Sequence, residues 1–215
     1  MSSKLETPIA FEGLKLIIPL AVLTIVLFVL GWIVAGAAGL ILTLFMLFFF
    51  RNPRQAVVQG DHLVVSPADG KVVAVKDVHE NDYLHQDVKR ISIFLSVFNV
   101  HVNCAPVRGT VESIDYKPGK FHIAAVEKAS LENEQTSMVI VGHGCKILVK
   151  QIAGILARRI ICYVKQGDVV ERGQRYGLIC FGSRVDIFLP ENCEIRVKVG
   201  DRVKGARDII AVLSQ

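Results

Sequence analysis

The chain has 215 residues, a hydrophobic content of 52% and a formal net charge of +5. This length suits one good-sized domain with a smaller appendage. Five cysteines without Cys-x-x-Cys or His-rich spacing indicate reduced thiols and no metal site. The positive charge lies after residue 50 and forms no basic helix or aromatic-basic stripe, so we expect anionic lipid headgroups rather than nucleic acid as partners.

The N-terminal segment is strongly apolar. Residues 16–50 form a run of 35 residues without a charge. One helix of that length would measure about 52 Å, whereas the hydrocarbon core of a bilayer is about 30 Å thick. Residues 31–39 interrupt the run with three glycines and a tryptophan suited to an interface. We therefore predict two short apolar helices folded as a hairpin, with residues 1–50 acting as a membrane anchor.

Two alternatives for this segment stay open. One is a single tilted span with an interfacial end; the other is a cleavable signal peptide, since Ala35-Gly36-Ala37 resembles a cleavage site. Against a signal peptide, the apolar run is too long and resumes at once. A hairpin puts both its ends on one side of the membrane, and basic residues flank it there: Lys4, Lys15, Arg51 and Arg54. The positive-inside tendency makes that side the cytoplasmic face of the cell (inner) membrane.

Residues 51–215 form a second, β-rich domain in the sequence pattern. Short apolar segments bounded by Gly, Pro, Asp or Asn indicate strands at residues 63–65, 72–75, 91–95, 139–141 and 160–164. Only residues 123–133 and 154–159 have a helical pattern. Val-Lys-Gln-Gly-Asp at 164–168 recurs as Val-Lys-Val-Gly-Asp at 197–201. Such Gly-Asp turns are typical of barrel-sandwich folds of the lipoyl and biotinyl type, although two ordinary tight turns give the same pattern.

The most informative local feature is the Gly182-Ser183 pair. It lies between two apolar runs, where it interrupts a strand sharply. Glycine allows a positive φ and a close approach to its carbonyl group. A serine in this position is able to attack the preceding carbonyl and cut its own chain, although most Gly-Ser pairs are plain turns.

Four further segments accompany this pair in order. They are Phe-Arg-Asn-Pro-Arg at 50–54, Ser-Pro-Ala-Asp-Gly-Lys-Val at 66–72, Phe-Leu-Ser-Val-Phe-Asn-Val-His-Val-Asn at 94–103, and Gln-Ile-Ala-Gly at 151–154 with Ala-Arg-Arg at 157–159. Together with Phe-Gly-Ser-Arg at 181–184, behind an apolar N-terminus, they resemble the short, archaeal-type form of the phosphatidylserine decarboxylase proenzyme. The resemblance extends from about residue 40 to the end.

The resemblance implies a self-cleaving carboxy-lyase that converts phosphatidylserine in the membrane to phosphatidylethanolamine and CO2. Ser183 attacks the Gly182 carbonyl, and the products are partner chains, a β chain of residues 1–182 and an α chain of residues 183–215. Ser183 becomes a covalent pyruvoyl cofactor. This group forms a Schiff base with the substrate amine and accepts the electrons that the departing CO2 leaves behind.

The resemblance also implies roles for four other residues. His101 and Asp69 match the family's catalytic histidine and its acidic partner, so an aspartate would orient a histidine base. Arg158 and Arg159 are candidates for binding the lipid phosphate. The chain departs from the longer bacterial form at Cys104, where that form has a second histidine, and at Arg184, where it has threonine. The identity of the base for Ser183 is therefore open.

Other interpretations compete. Asp69-Gly70 also fits a hairpin turn and His101 a core histidine. The whole chain would fit a membrane-anchored barrel-sandwich adaptor without enzymatic activity, although this leaves the 66–69 and 181–184 segments unexplained. A membrane serine hydrolase is a third interpretation, but this chain lacks the Gly-x-Ser-x-Gly motif of such enzymes. Whether the protein forms a homo-oligomer is not determined by the sequence.

Overall fold

A computed structural model describes residues 7–53, 56–58, 60, 62–119, 133–154 and 159–214. Strands account for 45% of the structure and helices for 19%, which confirms the prediction of a mainly β protein with an N-terminal helical hairpin. The chain divides into two compact units, Met1–Arg54 and Gln55–Gln215.

The first unit contains two antiparallel helices, α1 (Phe11–Val29) and α2 (Ile33–Phe49). The chain turns between them at Gly31, whose φ of 76° is readily adopted only by glycine. Helix α1 is long and apolar enough to cross a membrane, and α2 is an apolar helix of 17 residues. The predicted break is thus a turn at Gly31 and Trp32, since Ile33 already begins α2. The number of membrane passes, two in the hairpin or one span with an interfacial end, stays a prediction.

The seam between the helices is built from small and hydroxyl-bearing residues. Thr24 Oγ1 lies 3.3 Å from Thr43 Oγ1, and each hydroxyl also bonds to a carbonyl of its own helix. A Cβ atom at Gly36 would lie 2.7 Å from the Phe28 ring, so the helices approach closely there. The outward surface is apolar, with Val34 85% exposed. Polar groups satisfied inside and apolar side chains outside are typical of helices that pack in a membrane.

The second unit is built from fourteen strands in the part of the chain that the structure describes. They are β1 (Leu63–Val65), β2 (Gly70–Glu80), β3 (Gln86–Leu95), β4 (Val102–Cys104), β5 (Gly109–Lys117), β6 (Gln135–Gly142), β7 (Cys145–Ala153), β8 (Arg159–Cys162), β9 (Val169–Val170), β10 (Arg175–Cys180), β11 (Ser183–Pro190), β12 (Glu194–Ile195), β13 (Arg202–Val203) and β14 (Ile209–Val212). All five predicted strands overlap these elements.

The strands form three sheets. The largest is curled and runs in the order β13-β2-β3-β11-β7-β6-β5-β9, and the two small sheets have the orders β1-β14-β12 and β4-β10-β8. Every pairing is antiparallel. Alternate residues of β11, Val185, Ile187 and Leu189, lie in the main apolar core. Strand β11 therefore occupies the centre of the molecule's largest sheet, with one face towards this core.

The eight-stranded sheet consists of two halves with the same strand order, which meet between β11 and β7. The first half is β13-β2-β3-β11 and the second half is β9-β5-β6-β7. Strand β2 has a bulge between Val72 and Ala74 opposite β3, and β5 has one between Val111 and Ser113 opposite β6. The match of order, register and bulge indicates an internal pseudo-twofold repeat.

The Gly-Asp repeat seen in the sequence belongs to this symmetry. The side chain of Asp168 accepts a hydrogen bond from the Lys165 amide at 2.9 Å, and Asp201 accepts one from Lys198 at the same distance. Each turn is followed by the edge strand of its own half, β9 or β13. The two motifs are thus equivalent parts of a repeated sheet rather than unrelated tight turns.

Three local predictions have other outcomes. Residues 123–132 and 155–158, the bulk of the two helical candidates, lie outside the described residues. Arg159, at the end of the second candidate, begins strand β8. Asp69-Gly70 is not a hairpin turn, because β1 pairs with β14 and β2 pairs with β3 and β13.

Candidate active site

The predicted interruption before Ser183 is a sharp corner between two sheets. Strand β10 ends at Cys180 in the sheet β4-β10-β8, and β11 begins at Ser183 in the eight-stranded sheet. Only Phe181 and Gly182 connect them, and Phe181 has a φ of 66°. We call residues Phe181, Gly182 and Ser183 the 181–183 corner.

The left-handed backbone lies one residue earlier than the sequence suggested. Gly182 is not among the residues with positive φ, and a Cβ atom built on it would meet nothing closer than the Leu95 carbonyl oxygen at 4.0 Å. The expectation that Gly182 supplies a positive φ is therefore wrong, and Phe181 supplies it. The space where a Gly182 side chain would lie is therefore open.

Ser183 is placed inside the protein rather than on its surface. It is the first residue of β11, paired with Leu95 of β3 and Ala153 of β7, and its relative exposure is 0%. It alternates with Val185, so it lies on the face of the sheet that borders the main core. Among the residues that the structure describes, its Oγ has no hydrogen-bond partner. An unpaired buried hydroxyl costs stability, and a catalytic role is one reason for a protein to retain it.

His101 is also fully buried, directly before β4. Its carbonyl oxygen accepts a hydrogen bond from the Ile179 amide at 3.2 Å, which ties it to the strand that leads into the 181–183 corner. The imidazole Nδ1 lies 3.0 Å from the Asn99 carbonyl oxygen. A carbonyl oxygen only accepts, so Nδ1 carries the proton and a neutral ring presents Nε2 as the basic nitrogen.

Asp69 lies between β1 and β2 and is half-buried. Its Oδ1 accepts a hydrogen bond from the Gly205 amide at 2.8 Å. Because Asn99 already holds Nδ1 of His101, the aspartate is not needed to fix the tautomer of that ring. The sequence-based assignment of Asp69 as the orienting group thus has a competitor in a backbone carbonyl.

Cys104 occupies the position where the longer form of the resembled family has a second histidine. Burial raises the pKa of its thiol to about 12; the Asp69 charge adds to this rise and the Arg175 charge opposes it. The thiol is neutral at physiological pH and does not serve as a general base. This leaves His101 as the buried base candidate on this strand.

Of the two arginine candidates, the structure describes only Arg159. Arg158 lies outside the described residues. Arg159 is exposed, begins β8 and is the cross-strand partner of Cys180, the residue before the 181–183 corner. Its backbone therefore lies beside the segment that carries Ser183.

Two buried amides near this corner, Gln151 and Asn103, lie in the segments that carry the resemblance but were not among the candidate site residues. Gln151 of β7 is the cross-strand partner of Val185, and its Nε2 donates to Oδ1 of Asn103 in β4 at 2.7 Å. Their remaining polar atoms, Oε1 of Gln151 and Nδ2 of Asn103, have no partner among the described residues. Gly177 makes room for the Gln151 amide, because a Cβ there would lie 2.7 Å from its Nε2. The pair adds an unused donor and acceptor to the buried surroundings of Ser183.

Arg184, the other departure from the longer form, points away from this site. On β11 it alternates with Ser183, and its guanidinium makes two 2.8 Å contacts to the carboxylate of Asp186. Both side chains are almost fully buried, at 3% and 0% exposure. We call this side of the sheet, with Arg184, Asp186 and Lys150, the charged face. The arginine in place of threonine therefore belongs to a buried ion pair on the other face.

A second buried pair on the charged face joins β7 to the end of β2. Lys150 Nζ lies 3.0 Å from Glu80 Oε1. Burial of Glu80 opposes its ionisation, but the amides of Leu84 and Tyr83 and the Lys150 ammonium donate to it and lower its pKa. The carboxylate is thus ionised throughout the neutral range, and it fixes the Lys150 ammonium above the Phe188 ring at 5.1 Å.

Comparison with known proteins identifies the family. The family profile described as phosphatidylserine decarboxylase matches residues 42–211. Proteins named phosphatidylserine decarboxylase proenzyme from Geotalea uraniireducens and Syntrophotalea carbinolica are both 47% identical to this chain. The alignments cover 97% and 96% of this chain, and 98% and 97% of those proteins. A protein of the same name from Ralstonia pickettii is also 47% identical, over 87% of this chain and 90% of its own length.

Matches over nearly the full length of both partners agree with the resemblance drawn from the five segments. The chain therefore belongs to the phosphatidylserine decarboxylase family, a family of carboxy-lyases.

Proposed function

We propose that the chain is a proenzyme that cuts itself between Gly182 and Ser183 and then decarboxylates phosphatidylserine to phosphatidylethanolamine and CO2. One observation supports this proposal most strongly. Ser183 is fully buried at the start of the central strand, directly after a glycine with open space on its Cβ side, and its hydroxyl has no partner in the described part of the chain.

Self-cleavage needs only the chain and one water molecule. Ser183 Oγ bonds to the Gly182 carbonyl carbon, the C–N bond breaks, and the hydroxyl proton passes to the released nitrogen, which leaves an ester. Loss of the Ser183 α-proton then expels the Gly182 carboxylate and leaves dehydroalanine. Water converts this residue to a pyruvoyl group and releases ammonia. The products are residues 1–182 and residues 183–215.

His101 is the base that we propose for the first step. Its Nδ1–H is held by the Asn99 carbonyl, so the basic lone pair that would take the Ser183 proton is on Nε2. Both residues are fully buried, so a proton transfer between them would take place away from bulk water. Asp69 is proposed as the acidic partner of this group.

The mature site then has to bind an amino acid headgroup. A pyruvoyl group supplies the electron sink that decarboxylation requires. Arg158 and Arg159 are proposed to bind the lipid phosphate through paired N–H donors. The buried Asn103–Gln151 pair offers one donor and one acceptor to the polar groups of the substrate. The remaining surroundings of Ser183 are apolar, which favours loss of charge as CO2 departs.

We further propose that residues 1–50 anchor the enzyme in the inner membrane, with the catalytic domain, residues 51–215, on the cytoplasmic face. The apolar exterior of the helical hairpin supports the anchor. Lys15 and Arg51, close to its two ends, support the orientation. Substrate lipid would then reach the enzyme from the inner leaflet.

Intact-mass measurement of the purified protein tests the proposal. We expect a fragment of residues 183–215 that is lighter, by one ammonia, than the same peptide with an N-terminal serine. Ser183→Ala should remain a single chain without decarboxylase activity in phosphatidylserine vesicles. An active Ser183→Ala protein would show that the chemistry resides elsewhere.

A further inference from the structure

The internal symmetry gives the 181–183 corner a counterpart in the second half of the sheet, for which we propose no cleavage. Ser183 begins β11 and pairs with Leu95 at the end of β3, in the first half of the sheet. Cys145 begins β7 and pairs with Gly142 at the end of β6, in the second half. Residues His143, Gly144 and Cys145 therefore occupy the place that Phe181, Gly182 and Ser183 occupy in the other half; we call them the 143–145 turn.

The two segments share a left-handed residue but differ in what they connect. In the 143–145 turn, His143 and Gly144 have φ values of 52° and 73°, and they join two neighbouring strands. Two successive positive φ values are what a two-residue hairpin requires. Phe181 has the same conformation with a φ of 66°, but its chain arrives from the sheet β4-β10-β8.

Phe181 is held in this conformation from both sides. Cys180 is fixed in β10 by pairing with Arg159 of β8, and Ser183 is fixed in β11 by pairing with β3 and β7. Two residues are left to change sheets. A left-handed backbone is unfavourable for a residue with a Cβ atom and persists where the surroundings impose it. The strain is thus held one residue before the Gly182–Ser183 bond.

We propose that Phe181 is a positioning residue for self-cleavage, and that it acts through its left-handed backbone rather than its ring. This inference rests on the proposed function. The corner fixes the Gly182 carbonyl relative to Ser183 Oγ. When the Oγ–C bond forms and the Gly182–Ser183 C–N bond breaks, the proton passes from Oγ to the Ser183 nitrogen. The corner is then no longer held at both ends, so the strain is released in the cleavage itself.

The experiment follows cleavage of the full chain, synthesised without cells in the presence of phosphatidylserine vesicles, by denaturing electrophoresis. Glycine adopts a positive φ without strain, so Phe181→Gly should slow cleavage about ten-fold. Phe181→Ala keeps the strained backbone without the ring and should cleave within about two-fold of the unmodified chain. The matched control is His143→Gly, which changes the equivalent residue of the 143–145 turn and should leave the rate unchanged.

Denaturant unfolding separates this role from a merely structural one. In an uncleavable Ser183→Ala background, Phe181→Gly should have a higher unfolding midpoint than Phe181→Ala, since both lack the ring and only alanine carries the strain of a positive φ, although Phe181→Gly cleaves more slowly in the native background. Cleavage of Phe181→Gly at the native rate would overturn the inference, and so would equal slowing by Phe181→Ala. If the unmodified chain does not cleave, or Ser183→Ala does, the proposed function fails instead.

Discussion

The two halves of the eight-stranded sheet have the same backbone plan and different chemistry. In each half, the strand next to the edge strand begins with a glycine and has a bulge at the same position, and a Gly-Asp turn precedes the edge strand itself. In the second half, the position of Ser183 is occupied by Cys145 after an ordinary hairpin turn. In the first half the chain enters the same position from another sheet. The repeated fold provides the frame, and a change in connection distinguishes the segment that we propose as the cleavage site.

The sharpest test of this comparison replaces, one at a time, the two residues that correspond to each other, Ser183 and Cys145. Ser183→Ala should abolish cleavage, because no hydroxyl is left to attack Gly182. Cys145→Ser creates a second Gly-Ser pair in the 143–145 turn, yet it should add no cleavage after Gly144, because this turn joins two neighbouring strands and is not held between two sheets. Intact mass of both variants reports the result. Scission after Gly144 would show that the backbone plan alone is sufficient.

A second test asks whether cleavage in the first half of the sheet depends on the buried His101. His101→Ala should slow cleavage about 100- to 10,000-fold, the usual range for loss of a general base. Asp69→Asn should have a smaller effect than the histidine variant, since the Asn99 carbonyl already holds Nδ1. Time courses of chain cleavage measure both. Normal processing of His101→Ala would exclude it as the base and leave the strained corner as the main contribution.

The charged face should show the largest difference in stability between the halves. In the symmetry, Lys150 of β7 corresponds to Phe188 of β11, and only Lys150 needs a carboxylate partner. Glu80→Gln removes the nearer and buried carboxylate from the Lys150 ammonium and leaves the exposed Asp82 at 3.8 Å, so it should cost up to about 3 kcal/mol of unfolding free energy. Urea unfolding of the Ser183→Ala protein measures this. Phe188→Leu is the matched control and should cost no more than about 1.5 kcal/mol.

The ion pair between Lys150 and Glu80 should make the free energy of unfolding depend on pH. The folded state lowers the pKa of Glu80 from its ordinary value of 4.5, so its contribution to stability is complete above that value. It is lost as the pH falls through the lowered pKa of the folded state. Unfolding free energies measured between pH 7 and pH 3 should therefore fall more steeply with acid in the parent than in Glu80→Gln. Parallel curves would contradict this assignment.

The smallest expected effect is one that the halves should share. A Cβ atom at Gly70 would overlap the carbonyl oxygen of Phe94, and one at Gly109 would overlap that of Val141. Gly70→Ala and Gly109→Ala should each destabilise the protein by about 1–3 kcal/mol, with similar values. Urea midpoints measure them. A difference larger than the experimental error would show that the two halves are less alike in packing than in register.

The sequence was a good guide where local pattern determines structure. Apolar runs between turn residues identified strands such as β1, and the glycines near residue 31 identified the break between α1 and α2. Ser183 was recognised as the start of a new element because its segment has an unusual Gly-Ser pair in an apolar context. These features depend on residues close together in the chain.

The sequence was a poor guide where position depends on distant strands. The positive φ was expected at Gly182, but the change of sheet imposes it on Phe181. The hydrogen bond between Asn103 and Gln151 joins residues 48 positions apart, so no local pattern indicates it. The partner of Arg184 was likewise hidden, although Asp186 is only two residues away, because alternation shows a shared face and not its burial.

The central position of β11 has a consequence for what happens after scission. Its residues pair with eight positions of β3 and six of β7, so hydrogen-bond ladders flank it on both sides. A fragment that begins at Ser183 would have to break both ladders to leave, whereas an edge strand would break only one. Two polypeptides made by one cut would thus remain a single folded body, held together without any covalent link and separable only by unfolding.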